Sequence, residues 1–205
     1  GRYEEALVYL RGAVALDPLS ITYRAGLGEA LGVSGKPQEA IDVLRSALEI
    51  SQDDPRVFYR LGANLKRIGD REGAVRNYRK ALALTPGSED IRNSLGVILV
   101  ETGRYAEAAD VFRALVEPRP RKVDYMLNLA VAEASLGNLK VAEDAATRAL
   151  EIDRNRIGAY VMLGSIYERV ENPERAVQMY REVLRRDPNN RVATDRIRRL
   201  HAGPE

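Results

Sequence analysis

Cysteine and tryptophan are absent from the 205 residues, and histidine occurs once, at His201. No disulfide, thiolate nucleophile or thiolate metal site is available, and one histidine cannot build a histidine-rich metal centre or most catalytic triads. Charge of one sign is not in excess either. Thirty-two Lys and Arg against 30 Asp and Glu leave a net charge of +2, whereas a dedicated polyanion binder usually carries a strong basic excess. No apolar run approaches the roughly 20 residues needed to cross a bilayer. There is no Gly-x-Gly-x-x-Gly and no phosphate loop, so no nucleotide cofactor is expected. What remains is a folded chain with a wet surface, 45% hydrophobic and 30% charged.

Self-similarity organises that material. Gly1-Arg2-Tyr3-Glu4-Glu5-Ala6 recurs as Gly103-Arg104-Tyr105-Ala106-Glu107-Ala108, an offset of three times 34. Small residues keep the same period at Ala6, Ala40, Ala74, Ala108, Ala142 and Ala176. Leu followed by Gly or Ala recurs at Leu27-Gly28, Leu61-Gly62, Leu95-Gly96, Leu129-Ala130 and Leu163-Gly164. Pro18, Pro86, Pro120 and Pro188 share one slot, with Gln52 and Arg154 filling the gaps. A fixed 34-residue period without insertions is the mark of a repeat architecture.

Each period predicts two helices. Leu27, Gly28, Leu31 and Ser34 recur at three-four spacing and share one face. Gly35-Lys36-Pro37 is a turn, and Pro37 suits the first helical position, where no amide donor is needed. Ala40, Ile41, Leu44, Ala47 and Leu48 form a second amphipathic stretch. Gly69-Asp70, Gly103-Arg104, Gly137-Asn138 and Asn172-Pro173 repeat the punctuation, while Asp54 and Ser88 supply helix N-caps.

The run Tyr160, Leu163, Gly164, Tyr167, then Ala176, Tyr180 and Pro188, resembles the tetratricopeptide repeat signature. Phe58, Leu61, Gly62, Leu65, Ala74, Tyr78 and Pro86 repeat it, and the phase holds over the whole chain. The resemblance implies an all-α solenoid of antiparallel helix pairs in a right-handed superhelix, its concave groove lined by the first helix of each pair. Phasing assigns residues 1–20 to the second helix of a partial repeat, 21–54, 55–88, 89–122, 123–156 and 157–190 to complete repeats, and 191–201 to a capping helix. Because the chain opens at a turn glycine, an upstream helix is expected over Ala6, Leu7, Leu10, Ala13 and Val14. Left uncovered, that stripe offers self-association. Arg198 stands where earlier units have Gly or Ala and should block another helix. Ala202-Gly203-Pro204-Glu205 should then stop the last helix.

Two departures interrupt the pattern. Glu117-Pro118-Arg119-Pro120 should end a second helix early. Glu133 replaces the Leu or Tyr of Leu31, Leu65, Leu99 and Tyr167. Either the chain loosens there and the carboxylate reaches solvent or an Arg, or it makes a polar contact in a ligand groove.

No catalytic constellation stands out. Adjacent acids such as Glu4-Glu5 and Glu89-Asp90 sit at surface spacing, whereas catalytic carboxylates need desolvation and shifted pKa values. The chain is therefore read as a non-catalytic scaffold binding a peptide or protein segment, the alternative being an accessory array of a larger enzyme. The resemblance places the ligand groove at Arg56, Tyr59, Arg60, Ala63, Lys66 and Arg67, a basic patch with one aromatic. It continues through Asn93, Val97, Val100, Leu127, Asn128, Val131, Val161, Met162 and Ser165, an apolar floor with two amides. Acidic and apolar residues are expected in the ligand. Repeats of this family that grip a chaperone's C-terminal carboxylate use a Lys–Asn, Asn, Lys–Arg clamp at positions occupied here by Tyr59–Ala63, Ser94 and Asp124–Asn128, or one unit later by Asn93–Val97, Asn128 and Gly158–Met162; no Lys or Arg is present, so that mode is not expected. Nucleic acid is not expected to be the partner. The Arg-rich stretch from Arg181 to Arg199, with an excess of four positive charges, is either a solvated cap or a site for an acidic partner.

Overall fold

A computed structural model describes residues 2–202, which are twelve α-helices without a strand among them. The side chains of residues 1–3 and the whole of 203–205 lie outside this description, and with them part of the opening hexapeptide and the helix stop expected after Ala202. The chain divides into two compact units, 1–102 and 103–205. The first holds α1 (Arg2–Leu16), α2 (Ile21–Val33), α3 (Pro37–Ile50), α4 (Pro55–Arg67), α5 (Arg71–Leu84) and α6 (Glu89–Glu101). The second holds α7 (Tyr105–Val116), α8 (Val123–Leu136), α9 (Leu139–Ile152), α10 (Ile157–Arg169), α11 (Pro173–Arg186) and α12 (Arg191–Ala202).

Within each unit, each helix packs on the next in chain order. Helices α2 and α4 also touch one another, as do α8 and α10, so the first helices of successive pairs form a layer of their own. The expected punctuation is present. Asp54 accepts from the Arg56 amide and Ser88 from the Ile91 amide, while Pro37, Pro55 and Pro173 open their helices. Helix α7 stops at Val116, ahead of Pro118, whereas α3, α5, α9 and α11 each run 14 residues.

Side-chain size sets how closely paired helices approach. A Cβ on Gly62 would stand 2.8 Å from the Tyr78 ring, and one on Gly164 2.7 Å from the Tyr180 ring. Where α8 carries Ala130 instead of Gly, the facing residue sixteen positions on is Ala146 rather than an aromatic, and both are fully buried. Burial pushes the Tyr78 hydroxyl up to about 12.

Turn geometry explains one further glycine slot. Gly35, Gly69, Gly103 and Gly137 have φ between 73° and 87°. The fifth member of that slot is Glu171, which holds φ 55° with a side chain. A left-handed conformation costs a non-glycine residue roughly 1–2 kcal/mol. Glu171→Gly should therefore raise the midpoint of thermal unfolding, by a stability gain of about 1 kcal/mol, less the extra freedom glycine gives the unfolded chain. An unchanged or lower midpoint would remove strain at Glu171 from the account.

Two expectations need correcting. The stripe expected to await an upstream helix instead meets α2 and α3. Leu7 is buried with Leu27, Leu31 and Ala40, and Leu10 and Val14 pack against that cluster. It is the other side of α1 that lies open, through Val8, Tyr9 and Leu16. Glu133 reaches an Arg, as one of the two alternatives had it, but without loosening α8. Its side chain is 1% exposed, and Oε1 accepts from Arg113 Nε at 3.1 Å and Nη2 at 2.6 Å. Oε2 accepts from Asn138 Nδ2 at 2.8 Å. A carboxylate so enclosed has no surface to offer a ligand. The bond to Glu133 raises the Arg113 guanidinium above its usual value.

Candidate functional site

In the first unit, helix α4 presents the residues assigned to the basic end of the groove. Arg56 and Arg67 are exposed, while Tyr59, Arg60, Ala63 and Lys66 are half-buried. They share one side of α4 because its other side carries Val57, Phe58, Leu61 and Leu65 into the core. Asn93, Val97 and Val100 on α6 are also half-buried, between the buried Ile91, Leu95, Ile98 and Leu99.

Arg56, Tyr59 and Arg60 line a hollow of about 320 Å³ together with Glu29, Pro55, Thr85, Ser88, Asp90 and Ile91. The Tyr59 ring leans on Tyr78, centroids 5.7 Å apart and planes tilted by 42°. Ser94 Oγ donates to its hydroxyl at 3.4 Å. Pro55, Tyr59 and Ile91 give the hollow an apolar wall; Glu29, Arg56, Arg60 and Asp90 give it charges of both signs.

The cations are less available than composition suggested. Arg56 grips its own helix cap, Nη2 donating to Asp54 Oδ2 at 2.7 Å, and this bond holds the Asp54 carboxyl below its ordinary value. Arg60 Nη2 donates to Glu29 Oε2 at 2.5 Å, and Lys66 Nζ to Glu101 Oε1 at 2.6 Å. Arg67 Nη1 donates to Asn64 Oδ1 at 3.2 Å, a neutral partner. The helix's own cap and acids on two neighbouring helices thus cancel most of the patch, and sequence reasoning missed them. Spacing carried the signal: Glu29 precedes Arg60 by 31 residues and Glu101 follows Lys66 by 35, each about one repeat.

In the second unit, Leu127, Asn128 and Val131 on α8 and Val161, Met162 and Ser165 on α10 are all half-buried. Each helix turns a stripe of fully buried residues inward, Met126 and Ala130 from α8 and Ala159 and Ile166 from α10. Met162 packs toward the cluster of Ala130, Ala146 and Leu163, and Val161 toward that of Tyr180 and Val183, so both reach the core as well as the surface. Leu127 also lines a hollow of about 410 Å³ with Asp153, Asn155, Arg156, Ile157 and Gly158. Beside it, Arg156 is paired with Asp124.

The Arg-rich end is mostly consumed by internal pairs. Glu168 accepts from Tyr180 Oη at 2.5 Å, Arg196 Nη1 at 2.9 Å and Arg199 Nη2 at 2.7 Å, tying α10, α11 and α12 together. Glu182 holds Arg185 at 3.0 Å and Arg186 at 2.7 Å, and Arg186 lies 4.2 Å from the Tyr160 ring centroid. Arg198 is exposed and paired with Asp195 at 3.4 Å. These contacts fasten α12 to its own unit.

Helix hairpins stacked in order, with small residues at each close approach and a half-exposed layer of first helices, define a helical-repeat protein. Comparison with known proteins makes the class specific. Sequence models of the tetratricopeptide repeat match residues 1–65, 59–122, 115–157 and 157–190. The chain belongs to the tetratricopeptide repeat family. It is 35% identical over 102 residues to a peroxisomal targeting signal receptor of Kluyveromyces lactis, covering 50% of this chain and 18% of that protein. It is 29% identical over 152 residues to an Hsp70-Hsp90 organizing protein of Triticum aestivum, covering 73% of this chain and 24% of the other. The chain therefore spans less than a quarter of the length of these relatives. Among solved structures it is similar in fold to YrrB, described as a tetratricopeptide repeat protein with an unusual peptide-binding site. The TM-score is 0.79 at 19% identity, covering 91% of this chain and 96% of that one. Among the described residues, no helix is long and apolar enough to cross a membrane.

Proposed function

We propose that the chain is a non-catalytic protein–protein interaction scaffold. It binds an extended peptide or protein segment on the half-exposed faces of its first helices. In the first unit that face carries Arg56, Tyr59, Arg60, Ala63, Lys66, Arg67, Asn93, Val97 and Val100; in the second, Leu127, Asn128, Val131, Val161, Met162 and Ser165. The observation that carries the reading is the hollow beside Tyr59, where an apolar wall of tyrosine, proline and isoleucine is rimmed by charges of both signs. Ligand sites are commonly concave and mostly apolar, with a few placed polar groups. The names of relatives point the same way: one receives a targeting signal, another organises two chaperones, and a structural neighbour has a peptide-binding site.

The internal pairing of Arg56, Arg60 and Lys66 bears on ligand preference. An acidic ligand residue has to compete with Asp54, Glu29 and Glu101, so charge contributes more to orientation and encounter than to affinity. Within each unit, apolar anchors supply most of the binding energy, against Val97 in the first and against Val131 in the second. Peptides selected from a random displayed library on the wild-type chain provide the probe. Val97→Asp and Val131→Asp should each weaken the selected peptides at least tenfold at every salt concentration, about 1.4 kcal/mol. Arg56→Glu combined with Arg60→Glu should weaken them mainly at low salt, within a Debye length of about 10 Å at 0.1 M. Fluorescence polarisation measures the affinities, and far-UV circular dichroism checks the fold. Folded variants that bind as the wild type does would move the ligand to another face.

A further inference from the structure

Helix α1 has two apolar sides, and only one is in use. Leu7, Leu10 and Val14 pack on the cluster formed with α2 and α3. On the other side Val8 is 70% exposed, Tyr9 77% and Leu16 90%, and Leu19 just beyond the helix is 73% exposed. A helix that is hydrophobic all round is normally buried. The repeat itself shows how unusual two of these positions are. The residues 34, 68, 102, 136 and 170 positions after Val8 are Asp42, Arg76, Asp110, Asp144 and Gln178, all exposed and polar. Those at the same intervals after Leu19 are Asp53, Gly87, Arg121, Asn155 and Asn189, equally exposed and none of them apolar.

We propose that this face of α1 pairs with the same face of a second copy of the chain, antiparallel and about a twofold axis at Gly12. Val8, Gly12 and Leu16 stand at successive four-residue steps, so they form one line along the helix. Turning a second helix end for end about Gly12 sets Val8 of one copy beside Leu16 of the other, twice, with Tyr9 beside Ala15. The stripe is therefore complementary to itself, the condition an isologous dimer requires. A Cβ on Gly12 would meet nothing within 4 Å, so inside one chain no packing demands a glycine there. Between two helices crossing at that point, glycine permits a close approach. Val8, Tyr9, Leu16 and Leu19 leave roughly 500 Å² open per copy, so the pair buries on the order of 1,000 Å², at the low end for a specific interface. The dimer is accordingly weak and concentration-dependent. By the same rule Glu5 of one copy falls beside Leu19 of the other, both exposed.

Sedimentation velocity on this chain, from micromolar to millimolar concentration, should show a monomer–dimer equilibrium. Val8→Glu and, separately, Gly12→Gln should abolish it. Gly12→Gln points into open space and replaces a poor helix former, so its melting temperature should equal or exceed that of wild type. Because the chain has no cysteine, Gly12→Cys gives a trap without background: under mild oxidation it should cross-link into a covalent dimer, whereas Val141→Cys, exposed on α9, should not. A chain that stays monomeric throughout overturns the proposal. So does a dimer that survives both interface substitutions, or association that continues into open-ended polymers.

Discussion

Arg113→Met should destabilise the protein by about 3–5 kcal/mol, whereas Glu133→Leu should change its stability by about 1 kcal/mol or less. The two residues form one ion pair, but they do not share its burden. Arg113 has a half-exposed side chain and a second acid, Asp110, at 2.5 Å. Released from Glu133 it turns to water. Glu133 is 1% exposed and has no such exit. Without Arg113 its carboxylate keeps only the Asn138 amide, and an uncompensated buried charge is among the most damaging single changes a core can receive. Leucine at 133 is what the repeat places at Leu31, Leu65 and Leu99, all buried, so the site is shaped for it. The double variant Arg113→Met, Glu133→Leu should lie close to wild type, giving a coupling of about 3 kcal/mol. Urea denaturation followed by circular dichroism measures all three. Equal losses from the two single variants would show that the pair is balanced and the buried acid is not the vulnerable partner.

That pair also marks where the sequence could be read and where it could not. The 34-residue phase made helix positions legible because each signal is local: a proline at a first turn, a turn glycine, a small residue after each leucine. The all-α fold of paired helices followed from those signals together with the family resemblance. Glu133 was visible as a departure, but its partner sits twenty residues earlier on α7, and nothing local announces which arginine turns inward. The basic patch failed as a patch for the same reason. Arg60 and Lys66 were counted by sign along one helix, while the acids that neutralise them come from α2 and α6. On α1 the stripe was seen and its neighbour misjudged, since periodicity identifies an apolar side without saying which helix covers it. The opposite stripe was legible only by comparing Val8 and Leu19 with their counterparts in later repeats.

A close approach within a helix pair sets the last expectation: Gly164→Leu should cost about 3 kcal/mol, the upper end for overpacking, and should unfasten α12. Even a Cβ at 164 would lie 2.7 Å from Tyr180 Cε1 and Cζ, and leucine adds three more carbons beyond it. A ring at the surface would swing aside, but Tyr180 is buried, and its hydroxyl donates to Glu168 at 2.5 Å. Burial and that acceptor both raise the Tyr180 hydroxyl well above the ordinary tyrosine value, as expected for a proton held in place. Moving the ring pulls on Glu168, which also anchors Arg196 and Arg199 of α12. Strain introduced between α10 and α11 is thus passed to α12, whose stacking rests on that neighbour. Hydrogen exchange should show α12 amides losing protection before those of α8 and α9, alongside a lower urea midpoint. Adding Tyr180→Ala to Gly164→Leu should recover part of the loss, because the two changes act on one contact and are not additive. If the double variant is as unstable as the sum of the singles, the ring at 180 is not what Gly164 makes room for.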